Sequence, residues 1–307
     1  VGYCSLDYLG IVPGRPEFDV DTVSLSDFAK SGGGPVSTAL VALARLGART
    51  GYIGVLGEDE GGAFLKGEFE QEGVDLSRLR VQASARSQIC IVLVEAGTGR
   101  RSILCRRATG ELVLDEADRT YISLARYLHL DGYLMDAAVT AARWAYADGV
   151  KVSFDANRPR PRLDELLPLV DVLIASERFP PAYTGHKDQM RASRRLLEMG
   201  PEIVVVTLGA EGCLCLWKDQ VIHVPGFQVD VVDTTGAGDA FHGAFLYGLL
   251  QGWELERTAI FANAVAAMNC TRLSGRAGLP GLSEVEIFLK KRHRFTLRRP
   301  SSPWGAY

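Results

Sequence analysis

Apolar, β-rich runs alternate with helical patterns along most of this 307-residue chain. Strand patterns fall at Tyr52–Val55, Ile89–Val94, Tyr127–Leu130, Val150–Phe154, Val172–Ile174, Ile203–Leu208 and Cys213–Trp217. Helix patterns fall at Val36–Leu46, Gly61–Glu72, Ala137–Ala147, Met190–Glu198, Ala240–Leu250 and Leu255–Asn269. Such alternation predicts an α/β fold, a mostly parallel sheet covered by helices on both faces. Ligands of these sheets gather beyond the carboxyl ends of the strands, and the Gly-rich segments fall at those ends. Residues 10–31 and 83–109 break the pattern. They lack helical periodicity and hold short β-like pieces, Thr22–Leu25, Ile89–Val94 and Arg101–Cys105. They predict a small β-sheet flap standing off the main sheet as a lid. Two irregular surface loops are the plainer alternative.

Composition removes several classes. No apolar run reaches the roughly 18 residues that cross a bilayer, and no secretory leader is recognisable, so no membrane partner is expected. Net charge is −3, but the tail from Lys290 to Tyr307 holds six Lys/Arg and no acid, which leaves the rest at −9. An acidic body argues against nucleic acid as a partner. Residues 1–292 read as one α/β domain and 293–307 as a basic tail, expected to be a solvated, disordered end; contact with another macromolecule is the alternative. Cys4, Cys90, Cys105, Cys213, Cys215 and Cys270 contain no C-x-x-C pair. They read as reduced, partly buried thiols of a cytoplasmic protein. No G-x-x-x-x-G-K-[ST] occurs, which argues against a P-loop enzyme. The glycine loop lies near the end of the chain rather than after its first strand, which argues against a dinucleotide fold.

The strongest chemical signal is Asp233-Thr-Thr-Gly236-Ala237-Gly238-Asp239, which runs straight into the amphipathic pattern ending at Leu250. Glycines let backbone N–H groups turn outward, and at a helix start these donors sum with the helix dipole into an anion site. Such a hole stabilises the charge on a phosphoryl group in transfer. Asp239, in the first turn, is placed to accept a proton from an incoming hydroxyl. A simple helix cap is the competing explanation.

The segment from Asp233 to Leu246 resembles the second signature of the PfkB carbohydrate kinase family, which includes ribokinase. The resemblance implies a ribokinase-like three-layer sandwich with a small β-sheet lid. It also implies ATP-dependent phosphorylation of a small sugar or sugar derivative, with Asp239 as base and the backbone of Gly236, Ala237 and Gly238 as anion hole. Gly2–Asp7 resembles the family's first strand, where Asp7 holds sugar hydroxyls. Ser31-Gly32-Gly33-Gly34-Pro35-Val36-Ser37-Thr38 resembles the first signature, with Gly33 and Gly34 closing on the sugar and Thr38 or Ser37 where the family has Asn. Asp131 falls where some relatives hold a second sugar ligand. Arg106 and Arg107 close the second flap segment; a flap arginine could reach an acidic group on the substrate, such as a carboxylate, sulfonate or existing phosphate, or both face water.

On the nucleotide side, Thr207, Gly209 and Gly212 resemble the strand and turn bordering ATP. Asn263 and Gly278 resemble segments round the adenine pocket. Asp233 and Thr235 resemble positions that bind a monovalent cation, K+, in some relatives. The Asn-x-x-Glu pattern that orders magnesium-bound water reads Ser176 and Phe179 here; Glu177 is the substitute, or the triphosphate holds Mg2+ with little protein help. Arg158 and Arg160 fall near phosphates or on a solvated loop. Flap pairing in relatives implies a homodimer through the lid. Two other readings stand beside this one. A nucleoside kinase of the same fold would need an aromatic base pocket near the flap, and residues 83–109 contain no aromatic. A non-catalytic sugar- or nucleotide-binding protein would have lost Asp239 or its glycines, and all are present.

Overall fold

Side chains on a strand alternate between its two faces, so a strand buried on both sides must be apolar at every position. Val172–Ala175 and Ile203–Val206 meet that condition, and in the computed structural model they sit at the centre of the main sheet. The structure describes residues 1–17, 19 and 22–292; the tail at 293–307 lies outside them. In chain order the elements are β1 (Ser5–Val12), β2 (Asp27–Gly33), α1 (Pro35–Arg45), β3 (Gly54–Gly57), α2 (Glu60–Gln71), β4 (Leu79–Gln82), β5 (Gln88–Glu95), β6 (Arg101–Arg106), α3 (Glu116–Ser123), β7 (Tyr127–Leu130) and α4 (Met135–Ala147). They continue with β8 (Lys151–Ala156), α5 (Leu163–Leu166), β9 (Val172–Ser176), α6 (Phe179–Thr184), α7 (Gln189–Leu197), β10 (Ile203–Thr207), β11 (Cys213–Trp217), β12 (Gln220–Val224), α8 (Ala237–Leu250), α9 (Leu255–Asn269) and α10 (Leu282–Lys291).

The main sheet has the order β12-β11-β10-β9-β8-β7. β7 to β10 are parallel, and β11 and β12 return antiparallel at one edge. Val172, Ile174, Ile203 and Val205 point to one core, shared with α1, α2, α8 and α9. Leu173, Ala175, Val204 and Val206 point to the other, shared with α4, α5 and α7. Two helical layers on one sheet make the expected three-layer α/β sandwich.

The second sheet, in the order β2-β1-β5-β6, is the flap. It includes all of β1, so the first strand leaves the body and becomes part of the lid. Thr22–Leu25, expected as a strand, is irregular, and the pairing strand is β2 further on, antiparallel to β1. Alternation divides the flap. Asp7, Leu9, Cys90, Val92 and Val94 share one face; Leu9 and the last three pack against Leu273 and Val232. Tyr8, Ile91 and Leu104 share the other. The antiparallel register also sets Cys90 directly opposite Cys105, and the two form a disulfide. This corrects the expectation of six reduced thiols: cysteines brought together by a hairpin leave no spacing motif. Cys4, Cys213, Cys215 and Cys270 are free and buried.

Candidate active site

Gly236 is the N-cap of α8 with φ 72°, a left-handed conformation that glycine adopts without cost. A Cβ there would lie 2.5 Å from the Gly275 carbonyl oxygen and 2.7 Å from its Cα. Backbone approach therefore demands glycine. At Gly238 a Cβ would meet nothing within 4 Å, so this first-turn backbone faces open space. The loop before it is pinned from behind. Asp233, fully buried, accepts from the Thr235 N–H (2.8 Å) and hydroxyl (2.7 Å) and from the Ser274 N–H (3.0 Å). Asn269 donates to the carbonyls of Thr235 (3.2 Å) and Gly275 (3.1 Å). From above, the turn between β5 and β6 closes on the loop. Thr234 donates to the Gly99 carbonyl (2.8 Å), and Arg101 donates to the Thr234 hydroxyl (2.8 Å). Arg101 lies opposite Val94, hence on the flap's inward face.

Asp239 occupies the first turn of α8, but no side chain caps that helix. The simple cap explanation is removed. Burial, then the nearby Asp155 carboxyl, raise its pKa to about 6, against the opposing pull of His242 and Arg101. His242 follows three residues later on the same helix and meets Asp155 at 3.5 Å. Burial lowers His242 to about 4, and burial followed by Asp131 raises Asp155 to about 7. Both groups are drawn to their neutral forms, so this contact is not an ion pair.

On the lid strand, Asp7 is buried with its carboxylate against Gly33, where any Cβ would collide with it. Its Oδ1 accepts from the Ser5 hydroxyl at 2.7 Å. Burial raises its pKa to about 6; the Ser5 bond and Arg276 oppose this, and the Asp239 charge adds to it. The Gly32–Gly34 turn is braced from below by a residue not singled out from sequence. Arg276 is 3% exposed; it pairs with Glu68 at 2.9 Å and donates to the Gly33 carbonyl (3.3 Å) and the Thr38 hydroxyl (3.4 Å). Glu68 in turn accepts from the Gly32 N–H at 2.6 Å. Thr38 is therefore a buried brace rather than an open sugar ligand. Ser37 is engaged too, donating to the carbonyls of Gly33 (2.5 Å) and Gly34 (2.9 Å).

Two further assignments change. Asp131 is 1% exposed, and its oxygens accept from the Tyr3 N–H (2.8 Å) and the Tyr133 N–H (3.0 Å). It holds two backbone segments together. Arg106 lies opposite Ile89, on the flap face turned away from the site. The next residue, Arg107, stands over the Tyr133 ring at 5.8 Å.

At their carboxyl ends, β9 and β10 finish side by side. The Thr207 hydroxyl donates to the Ala175 carbonyl (3.3 Å), and the Glu177 N–H donates to the Thr207 carbonyl (3.1 Å). The Glu177 side chain is exposed, while Phe179 is buried in the core. Gly209 and Gly212 take positive φ, 60° and 93°, in the turn that follows. Asn263 does not face an open pocket: its amide donates to the carbonyls of Val224 (3.0 Å) and Pro225 (3.4 Å). Gly278 lies against the Asn269 backbone. Both shape the wall from behind.

Residues 1–281 match the pfkB family of carbohydrate kinases. This chain belongs to that family. An ATP-dependent ribose-1-phosphate kinase from Halopiger xanaduensis is 32% identical over 294 residues, covering 95% of this kinase and 97% of the relative. A ribokinase from Haemophilus influenzae is 27% identical, covering 88% and 91%. Among solved structures, the ribokinase from Thermotoga maritima superimposes with a TM-score of 0.80 at 26% identity, covering 94% of this kinase and 97% of that chain. A fructokinase from Xylella fastidiosa, solved with bound ATP, gives 0.80 at 26%, covering 95% and 97%. The reaction class is thus ATP-dependent phosphorylation of a sugar or sugar derivative.

His242, Arg101 and Arg276 were missed from sequence. His242 alone carried a local signal, since residues three apart on a helix share a face.

Proposed function

We propose that this kinase transfers the γ-phosphoryl group of ATP to a hydroxyl of a small sugar or sugar derivative held against Asp7 and the Gly33–Gly34 turn, with Asp239 as the base. One observation carries the assignment. Asp239 stands uncapped in the first turn of α8, beside the Gly236–Gly238 backbone, with its pKa raised to about 6. A carboxyl of that strength is ionised at neutral pH yet basic enough to take a hydroxyl proton as the new O–P bond forms. The unpaired N–H donors at the start of α8 would stabilise the charge on the transferring phosphoryl group. ADP leaves, and Asp239 releases the proton to solvent.

Nucleotide would lie along Thr207, Gly209 and Gly212, with Asn263 and Gly278 supporting its pocket. Among the described residues no group of three His, Cys, Asp or Glu could hold a metal, so magnesium fits only as an ion carried on the triphosphate, with Glu177 near its water. Bound there, it would neutralise phosphate charge. A potassium ion would have to use main-chain oxygens beside Thr235, because Asp233 is engaged by Thr235 and Ser274; equal rates in sodium and potassium would remove it. Phe28, Ile91 and Leu104 on the flap are each more than half exposed, which supports pairing of two lids in a homodimer; a monomer in sedimentation at all concentrations would exclude that. The ATP requirement alone supports a cytoplasmic site, since the Cys90–Cys105 pair withdraws the argument from reduced thiols.

Relatives named for ribose 1-phosphate and for ribose support a small acceptor. The test is ADP release by the purified protein with ATP and a panel of sugars, sugar phosphates and nucleosides, with the product identified by phosphorus NMR. Release driven by a sugar-type acceptor is expected. Release driven by nucleosides alone would establish the nucleoside-kinase alternative, and no acceptor-dependent release would overturn the reading.

A further inference from the structure

Three guanidinium groups converge on one aromatic ring beside the acceptor turn. Arg160 stands over the Tyr133 ring at 3.9 Å, Arg107 at 5.8 Å and Arg158 at 5.9 Å. They come from two separate segments, the end of the lid strand β6 and the loop that follows β8. On its other side Tyr133 stacks on Tyr3, with centroids 4.8 Å apart and planes 17° from parallel. The buried Asp131 carboxylate accepts from the backbone N–H of both tyrosines, so the stack is built in rather than incidental.

Gathering three like charges is unfavourable unless something neutralises them. Among the described residues none of the three arginines has a carboxylate within ion-pair distance, whereas arginines 78, 80, 119, 143 and 162 all do. Arg160 Nη2 is buried with no hydrogen-bond partner, and the Tyr3 hydroxyl, buried beside the Arg107 guanidinium, has no acceptor for its own proton. Buried donors left without acceptors are costly, and their cost is met when an acceptor-rich group binds between them.

The cluster borders the acceptor side. A Cβ on Gly34 would lie 2.6 Å from the Tyr3 carbonyl oxygen, so the stack adjoins the turn that closes on the sugar. The Tyr3 phenol feels the charge of Asp7 as well as that of Arg107. The Arg158–Arg160 loop also touches the neighbouring strand end, where the Ser176 hydroxyl donates to the Asn157 carbonyl at 3.3 Å and Ser176 lies opposite Thr207, so the ATP KM is read beside the acceptor KM in the test below.

We propose that Arg107, Arg158 and Arg160, arranged round the Tyr3–Tyr133 stack, form an oxyanion subsite of the acceptor pocket, so that the preferred acceptor is a sugar already bearing a tetrahedral oxyanion such as a phosphate monoester or a sulfonate. Guanidinium groups bind such anions through charge-assisted, often paired, hydrogen bonds. The proposal rests on the kinase reading of the same site and narrows its substrate. With a phosphorylated acceptor the product carries two phosphates, one retained at the subsite and one newly added at the Asp239 end.

The experiment measures kcat/KM for ribose, ribose 1-phosphate, fructose, fructose 1-phosphate, fructose 6-phosphate and a sulfonated hexose, at saturating ATP. At least one anionic sugar is expected to exceed its neutral counterpart by about 100-fold. The phosphate and sulfonate arms decide which anion the subsite takes. Arg107→Gln and Arg158→Gln, both at exposed positions and so tolerated by the fold, are each expected to reduce the anionic-to-neutral ratio by about tenfold, with the change in acceptor KM and the ATP KM held. Arg160→Lys, which keeps the charge but not the planar fork, is expected to lose part of that ratio and Arg160→Gln most of it. Neutral sugars turned over as well as anionic ones would overturn the subsite and leave the kinase reading standing. A rise in ATP KM in place of acceptor KM would assign the arginines to the nucleotide and also overturn it. Failure of every acceptor, neutral or anionic, would instead reject the kinase reading.

Discussion

Replacing Arg276 with methionine tests how the acceptor turn is held. The guanidinium is 3% exposed and bonds to Glu68, the Gly33 carbonyl and the Thr38 hydroxyl, with the Phe69 ring 5.4 Å from its centre. Methionine keeps much of the apolar stem but leaves the Glu68 carboxylate, itself 24% exposed, without its cation. Removing one partner of a buried pair costs about 3–5 kcal/mol. The partial exposure of Glu68 places the expected loss at the lower end, about 3 kcal/mol. For a domain of this length that lowers Tm by roughly 5 °C. Thermal and urea melts of Arg276→Met, Glu68→Gln and the double variant check the figure. The double variant should lose less than the sum of the singles, because it leaves no unpaired buried charge. The acceptor KM should rise more than the ATP KM, since the turn that loosens is Gly32–Gly34. A stability change within about 0.5 kcal/mol for the single, or strict additivity in the double, would refute the brace.

Three other outcomes follow from the site. Gly236→Ala forces a side chain into a left-handed backbone 2.5 Å from the Gly275 carbonyl oxygen; strain alone is about 1–2 kcal/mol, and activity should fall at least about tenfold with a lower Tm. Full activity would show that the loop relaxes freely. Because the base acts only when ionised and its pKa is raised to about 6, kcat/KM should rise about tenfold from pH 5 to pH 7 and then level; a flat profile down to pH 5 would contradict the assignment. The raised values of Asp7, Asp155 and Asp239, about 6, 7 and 6, mean that protonation favours the folded state. Their contribution to stability is full below about pH 4, the ordinary carboxyl range, and declines from there until it is lost at about pH 6 to 7; Asp155→Asn should flatten that decline, and an unchanged slope in thermal melts would remove Asp155 from it.

What could be read from the sequence was local. The Gly236–Asp239 loop was legible because left-handed turns, helix-start donors and a first-turn carboxylate act within seven residues. The layered sheet was legible because doubly buried strands such as Ile203–Thr207 must be apolar throughout. What was hidden depends on register or on distance along the chain. Arg276 meets Glu68 across 208 residues, and nothing near either announces the other. Arg106 lies on the flap face turned from the site, which the β5–β6 register decides, while Arg107 follows the strand and stands over Tyr133. The same register joins Cys90 to Cys105. Thr38 and Ser37 looked like substitutes for a sugar-binding amide, yet both hydroxyls are engaged in holding the turn itself. Asn263 and Gly278 likewise serve packing behind the pocket they were expected to line.

The central claim is that Asp239 takes the acceptor's proton. Asp239→Asn keeps the shape of the first turn of α8 and removes the charge. With the best acceptor of the panel, the variant should bind ATP with little change in Kd and lose about 10²- to 10⁴-fold in kcat. Near-normal kcat in a folded, ATP-binding Asp239→Asn protein would contradict the account.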